Sequence, residues 1–186
     1  MENDKSELIR NLFGQSLERT KTAIIGSFNN SWLGLSDSYY ESAVELLRGI
    51  ANDKTLMDVY VLPILFLLRH ALELKIKCLL VYTNKWIGKE DTKTHSHNLM
   101  SLYSLLRKNI DLLSPDLLTD YNAIGYKIEK IHLIDTKSDC FRYPAQKEIM
   151  ELNSNVYIDM GSIFIYFDDI LVYLSNLLDY LDSGRS

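Results

Sequence analysis

Arg69, Glu73 and Lys77 follow one another at intervals of four residues, with His70 next to the first of them, inside the apolar run LPILFLLRHALELKIKCLLV from Leu62 to Val81. At 100° per residue on a helix they fall at about 0°, 40° and 80°, with His70 at about 100°, so they form one polar stripe on an apolar rod. A guanidinium fork donates two parallel hydrogen bonds to a phosphate, and an imidazole can donate or accept near neutral pH. Lining a pocket, the stripe would meet an anionic ligand through Arg69, His70 and Lys77. The other reading is structural. Arg69 with Glu73 and Glu73 with Lys77 are both (i, i+4) pairs, able to neutralise one another as a charge ladder at a helix seam. Lys75 lies off the stripe, at about 240°, and is expected to snorkel to solvent.

Two further stretches carry reactive groups: His95-Ser-His97-Asn-Leu, after a polar loop, and Asp139-Cys-Phe-Arg142-Tyr143-Pro144. Metal-independent RNA cleavage needs a group that draws the proton from a 2'-hydroxyl and cations that offset charge building on phosphate. Arg69, His70, His97 and Arg142 are the candidate catalytic residues, and Glu73, Lys77, Asp139 and Tyr143 the candidate ligand contacts. The condition is that the 139–143 loop folds over the central helix. There is no Cys-x-x-Cys or His-Glu-x-x-His pattern, and no metal is expected. Gly-x-Gly-x-x-Gly, Walker and Gly-x-Ser-x-Gly motifs are also missing, so no cofactor is expected and the nucleotide-fold and common serine-hydrolase readings lose their support.

The 186 residues are enough for one domain with its own core, and 47% hydrophobic with 24% charged residues is ordinary for a folded protein. Eight glycines and three prolines favour long helices over many short strands. A net charge of -5 gives no general attraction to nucleic acid or anionic membrane, so RNA binding would need a local basic patch. Cys78 and Cys140 make no disulfide framework, which with the absence of a secretory pattern points to the cytoplasm. Five ionisable residues interrupt the central run, and no membrane span is expected.

The elements that must position these groups are helical. Residues 1–35 form an N-terminal extension packed on the bundle, with Leu8, Ile9, Leu12 and Phe13 on one side of a short helix and a turn around Asn29 to Gly34. Helices are expected from Ser36 or Asp37 to about Asn52, and from about Leu56 through Pro63 to between Tyr82 and Trp86. Three more should run over about 98–112, from Ser114-Pro115 to about Leu133, and from Asp159 or Gly161 to Leu181. The sum is an all-α bundle of four to five main helices in a single domain.

The run Leu68-Arg69-His70-Ala-Leu-Glu73-Leu-Lys75-Ile-Lys77, followed by a loop and His97-Asn98-Leu99 opening the next helix, resembles the HEPN superfamily of all-helical domains. The resemblance implies a HEPN-like bundle that forms homodimers. It also implies RNA or nucleotide binding and, in many members, metal-independent endoribonuclease activity in toxin, antiphage or RNA-processing systems. The active members' signature, an Arg and a His separated by four to six residues, has no match here. Lys127 and His132 have the spacing, but lysine lacks the fork and the two side chains sit about 140° apart on a helix. Phe141-Arg142-Tyr143-Pro144 could supply an arginine from the loop instead. The alternative function is a non-catalytic homodimeric interaction module, joined through the C-terminal helix, whose polar stripe only fixes helix register.

Overall fold

A computed structural model describes residues 31–51, 53–89, 95–142 and 157–183, and every regular element among them is helical. The helices are α1 (Trp32–Ile50), α2 (Lys54–Trp86), α3 (Leu99–Leu113), α4 (Leu118–Ile134) and α5 (Met160–Ser183), with a 3-10 turn, Pro115–Leu117, leading into α4. The protein is an all-α bundle, and the first 30 residues, where the short N-terminal helix was expected, lie outside the described residues.

Local chemistry explains where the helices begin, and it corrects several expectations. The hydroxyl of Ser31 accepts from the amide of Gly34 at 2.9 Å, so α1 starts a turn earlier than Ser36 or Asp37 would have it, inside the expected turn region. Freed from capping, Ser36 donates to the carbonyl of Ala71 at 2.8 Å in the α1–α2 seam. Asp37 takes Lys75, whose ammonium lies 2.8 Å from its carboxylate, and Lys75 is buried instead of snorkelling. Asp53 caps α2 by accepting from the amides of Thr55 and Leu56. This helix runs 33 residues straight through Pro63. It ends at Trp86, and just beyond the C-cap Ile87 the chain turns at Gly88, whose φ of +67° is the left-handed conformation that glycine takes without a Cβ clash. Asn98 caps α3 through the amide of Ser101 at 2.9 Å. Ser114 was expected to cap the next helix, but its side chain makes no capping bond, and the chain passes through the 3-10 turn first.

Helix α2 is the axis, packed against α1, α3 and α5, while α4 bridges α3 and α5. Leu68, Leu72, Ile76 and Leu79 are fully buried along it and belong to one core cluster with residues of all the other helices. Each such side chain contributes roughly 1.5–3 kcal/mol on burial. Between α3 and α4 the rings of Tyr103 and Tyr121 stack with centroids 4.8 Å apart. Gly125 faces the Tyr103 ring so closely that a Cβ there would collide with it. Across the α2–α3 seam, Asn109 donates to Thr83 and Asn84, both at 2.9 Å.

Helix α5 is, by length and composition alone, long and apolar enough to cross a membrane. Its Phe167, Ile170, Leu171, Leu174, Leu177 and Leu178 are nevertheless buried in the core, and Asp168, Asp169, Asp179 and Asp182 mark its other side. That is one buried apolar stripe against the bundle, with Ile165, Val172 and Tyr180 exposed on the rest of the helix.

Candidate functional site

The polar stripe of α2 lies inside the bundle. Arg69 is 1% exposed and Glu73 0%, which at this depth requires nearly complete pairing. Nη1 of Arg69 is 2.6 Å from Oε2 of Glu73, and its Nη2 donates at 2.8 Å to the carbonyl of His97, just ahead of α3. Its Nε sits 3.0 Å from Oδ2 of Asp135 at the end of α4, an ion pair whose N–H is out of line for a hydrogen bond. The other Glu73 oxygen takes Nζ of Lys77 at 2.8 Å and Nδ1 of His97 at 2.9 Å. Lys77 is also 5.4 Å from the centre of the Trp32 ring, within cation–π range. Two cations and two carboxylates thus neutralise one another in the seam of α2, α3 and α4. Burial pushes the Glu73 carboxyl up, but the hydrogen bonds and charges of Lys77 and Arg69 outweigh it and hold the group below its ordinary range.

Asp135 was not among the expected site residues. Its Oδ1 accepts from the amides of Asp139 (2.9 Å) and Cys140 (3.1 Å), closing a loop in which Ser138 adopts a φ of +65°. One carboxylate therefore ties Arg69 of α2 to the start of the 139–142 segment. The lone signal for it in the sequence is an acidic residue at a helix C-terminus, where the helix dipole disfavours negative charge unless a cation is near. His132, one turn earlier, also lies beside Arg69 and Asp135, with a buried Nδ1 that finds no hydrogen-bond partner among the described residues. Burial and the Arg69 charge push its pKa down, against the pull of Asp135.

Toward the surface the same framework presents other groups. His97 has its side chain 65% exposed while Nδ1 points at buried Glu73. Because an ionised carboxylate only accepts, Nδ1 must carry the proton, and Nε2 is the atom the exposed ring offers to a ligand. His70 is half-buried and near enough to His97 to feel its charge. Its ring meets Tyr39 edge-on at 4.5 Å and stacks on Phe66 at 5.6 Å. Arg142 is exposed, with its guanidinium carbon 5.9 Å from the centre of the Phe66 ring, the ring that also stacks on His70. Phe141, half-buried, lines an apolar groove of about 370 Å3 with Leu65, Ile131 and Phe167. It anchors the loop beside the helix. Burial pushes the His70 pKa below its ordinary value; Arg69, Lys77 and His97 push the same way, and Glu73 opposes them.

The structure thus brings His70 near His97, pairs Arg69, Glu73 and Lys77 among themselves in the seam, and sets Arg142 against Phe66, whose ring also stacks on His70. A ligand arriving at the stripe meets the imidazoles first. Asp139 takes part through its main chain, with its amide on Asp135 and its carbonyl accepting from Arg142 at 3.0 Å. Tyr143 lies outside the described residues. Lys127 and His132 do not combine, because Lys127 pairs with Asp169 on α5 at 2.8 Å. No cluster of three or more His, Cys, Asp or Glu side chains suited to a metal ion occurs among the described residues. In comparisons with known proteins, no family model, no curated protein and no solved structure matches this chain.

Proposed function

We propose that this chain is a HEPN-like protein that binds RNA, or a nucleotide, on the side formed by His97, His70 and Arg142, and that the Glu73–His97 pair handles the proton in metal-independent RNA cleavage. The observation that carries the reading is a mostly exposed imidazole whose Nδ1 lies 2.9 Å from a carboxylate with no exposure of its own. A carboxylate so placed fixes the ring's tautomer and direction and stabilises the imidazolium formed when Nε2 takes a proton. In the proposed step Nε2 of His97 removes the 2'-hydroxyl proton, and the 2'-oxygen forms a bond to phosphorus. The 5'-oxygen leaves and takes a proton from water, giving a 2',3'-cyclic phosphate. Arg142 is the phosphate contact, where its planar cation offsets the added negative charge. Service in a toxin or antiphage system, in the cytoplasm and as a homodimer, belongs to the same proposal on the HEPN resemblance.

The test is end-labelled single-stranded RNA incubated with the purified chain in chelator, beside His97→Gln and Arg142→Ala. Cleavage by wild type to cyclic-phosphate ends, lost in His97→Gln and blocked by a 2'-O-methyl group at the cut, is the expected result. Identical background from all three proteins, with RNA bound equally by each, would overturn it. The second reading, a non-catalytic interaction module, is favoured by the near-complete burial of Arg69, Glu73 and Lys77. It expects His97→Gln to change neither RNA binding nor RNA cleavage.

A further inference from the structure

The α1–α2 seam holds a groove close to His97. On α2, Cys78, Val81 and Tyr82 stand against Trp32, Leu33 and Leu35 of α1 and enclose a volume of about 640 Å3. Trp32 and Tyr82 leave 36% and 40% of their surfaces exposed there, much for two large aromatic residues in one groove. Ionic contacts join the groove to His97. Nζ of Lys77 lies 5.4 Å from the centre of the Trp32 ring and 2.8 Å from Oε1 of Glu73, and the same oxygen is 2.9 Å from Nδ1 of His97. Laid end to end, these steps are no longer than an extended dinucleotide. Trp32 and His97 therefore flank one buried carboxylate within the reach of a short strand.

We propose that this groove is a base-binding subsite, in which an unpaired RNA base, one or two nucleotides from the 2'-hydroxyl at His97, stacks on the Trp32 ring with Tyr82 beside it. The inference rests on the RNA reading and narrows it, because it makes single-stranded RNA the ligand. In a duplex each base face is covered by its neighbours, whereas a base in a loop or single strand can turn its face to an aromatic ring. The ring is prepared for this contact. Lys77 already holds Trp32 at cation–π distance, so stacking costs little further ordering. Charge agrees as well: among the described residues no acidic side chain lines the groove, and Asp37, two residues beyond Leu35, is taken by Lys75. Lys85 is exposed and shares the face of α2 that carries Cys78, Val81 and Tyr82, where it can meet a phosphate of the same strand. Leu33, Leu35 and Val81 offer nothing to read a base edge, so the preference among bases should be slight.

The experiment follows the fluorescence of Trp32 in the full chain carrying Trp86→Phe, which leaves it the one tryptophan, during titration with a short single-stranded 2'-O-methyl RNA. Quenching is expected. An abasic strand of the same length, which keeps the phosphates, should not quench, and neither should the duplex of the same sequence. Trp32→Leu should weaken binding about tenfold and Trp32→Phe should restore most of the loss. Because quenching needs no change at Trp32, it decides the matter even where Trp32→Leu fails to fold, and Tyr82→Leu, at a position not in contact with Lys77, should also weaken binding. RNA that binds and moves the His97 ring-nitrogen signals while Trp32 fluorescence stays constant would overturn the stacking and leave the His97 site standing. Equal quenching by the abasic strand, or a duplex bound as tightly as the single strand, would overturn it too. No binding of any of these RNAs would overturn both readings.

Discussion

Arg69 makes three charged or polar contacts, to Glu73, Asp135 and the His97 carbonyl, while giving up nearly all contact with water. Truncating it leaves Glu73 with Lys77 and takes from buried Asp135 the cation it faces. Arg69→Ala is therefore expected to cost about 3–5 kcal/mol in urea unfolding, the range for breaking one side of a buried pair; a loss under about 1 kcal/mol would mean that the stripe is solvated. The imidazoles add a pH dependence whose sign follows from their environments. His70 and His132 both have folded pKa values pushed down, chiefly by burial, so the unfolded chain takes up their protons first. Their contribution is complete above the ordinary histidine value of about 6.5 and fades as pH drops through it toward the lower folded values. Glu73, also depressed, keeps its contribution to more acid pH and loses it only below the ordinary carboxylate range. Thermal unfolding should show stability falling in two stages on acidification, and His70→Gln should shrink the first. A stability flat from pH 7.5 to 5 would contradict these placements.

At the scale of elements, the sequence reveals helices through apolar periodicity and conceals what holds their ends. The α2 and α3 spans follow from runs of leucine and isoleucine at three and four, and both end close to where their turn residues put them. The starts of α1 and α4 shift by several residues because a single hydrogen bond decides each. Ser31 makes its bond to Gly34, and Ser114 makes none. The site was legible to a similar degree. The spacing of Arg69, Glu73 and Lys77 displays the stripe, and only folding shows that it closes on itself through Asp135 and the His97 carbonyl, groups far away in the chain. Asp135 couples two elements, so Asp135→Asn, which keeps an acceptor for the loop amides but removes the charge facing Arg69, should separate its two duties. About 1–3 kcal/mol of stability should go, with hydrogen exchange quickening at Asp139 and Cys140 less than in Asp135→Ala. Equal exchange in the two variants would deny the oxygen its role in the loop. Where α3 meets α4, Gly125→Ala should cost about 1–3 kcal/mol by forcing the Tyr103 ring aside. A neutral result would show that the Tyr103–Tyr121 stack yields without cost.

For the whole molecule, the bundle holds a neutral ionic lattice in its interior, with the exposed ring of His97 and the half-buried ring of His70 at its margin and exposed Arg142 beside Phe66. Net charge of -5 makes that local arrangement, and not the overall field, the source of any attraction to phosphate. Binding should weaken steeply with salt only as far as the few cations at this site are engaged, a shallow dependence beside that of a broadly basic protein. The most direct measurement is a nitrogen-15 spectrum of the four histidines, titrated with single-stranded RNA carrying 2'-O-methyl groups so that it binds without being cut. The expected result is His97 protonated at Nδ1 in the free protein, with its Nε2 signal and those of His70 moving on addition of RNA while His132, whose Nδ1 is buried beside Arg69 and Asp135, stays in place. Signals of His97 and His70 that remain fixed at saturating RNA, or a His97 ring carrying its proton on Nε2, would contradict the site.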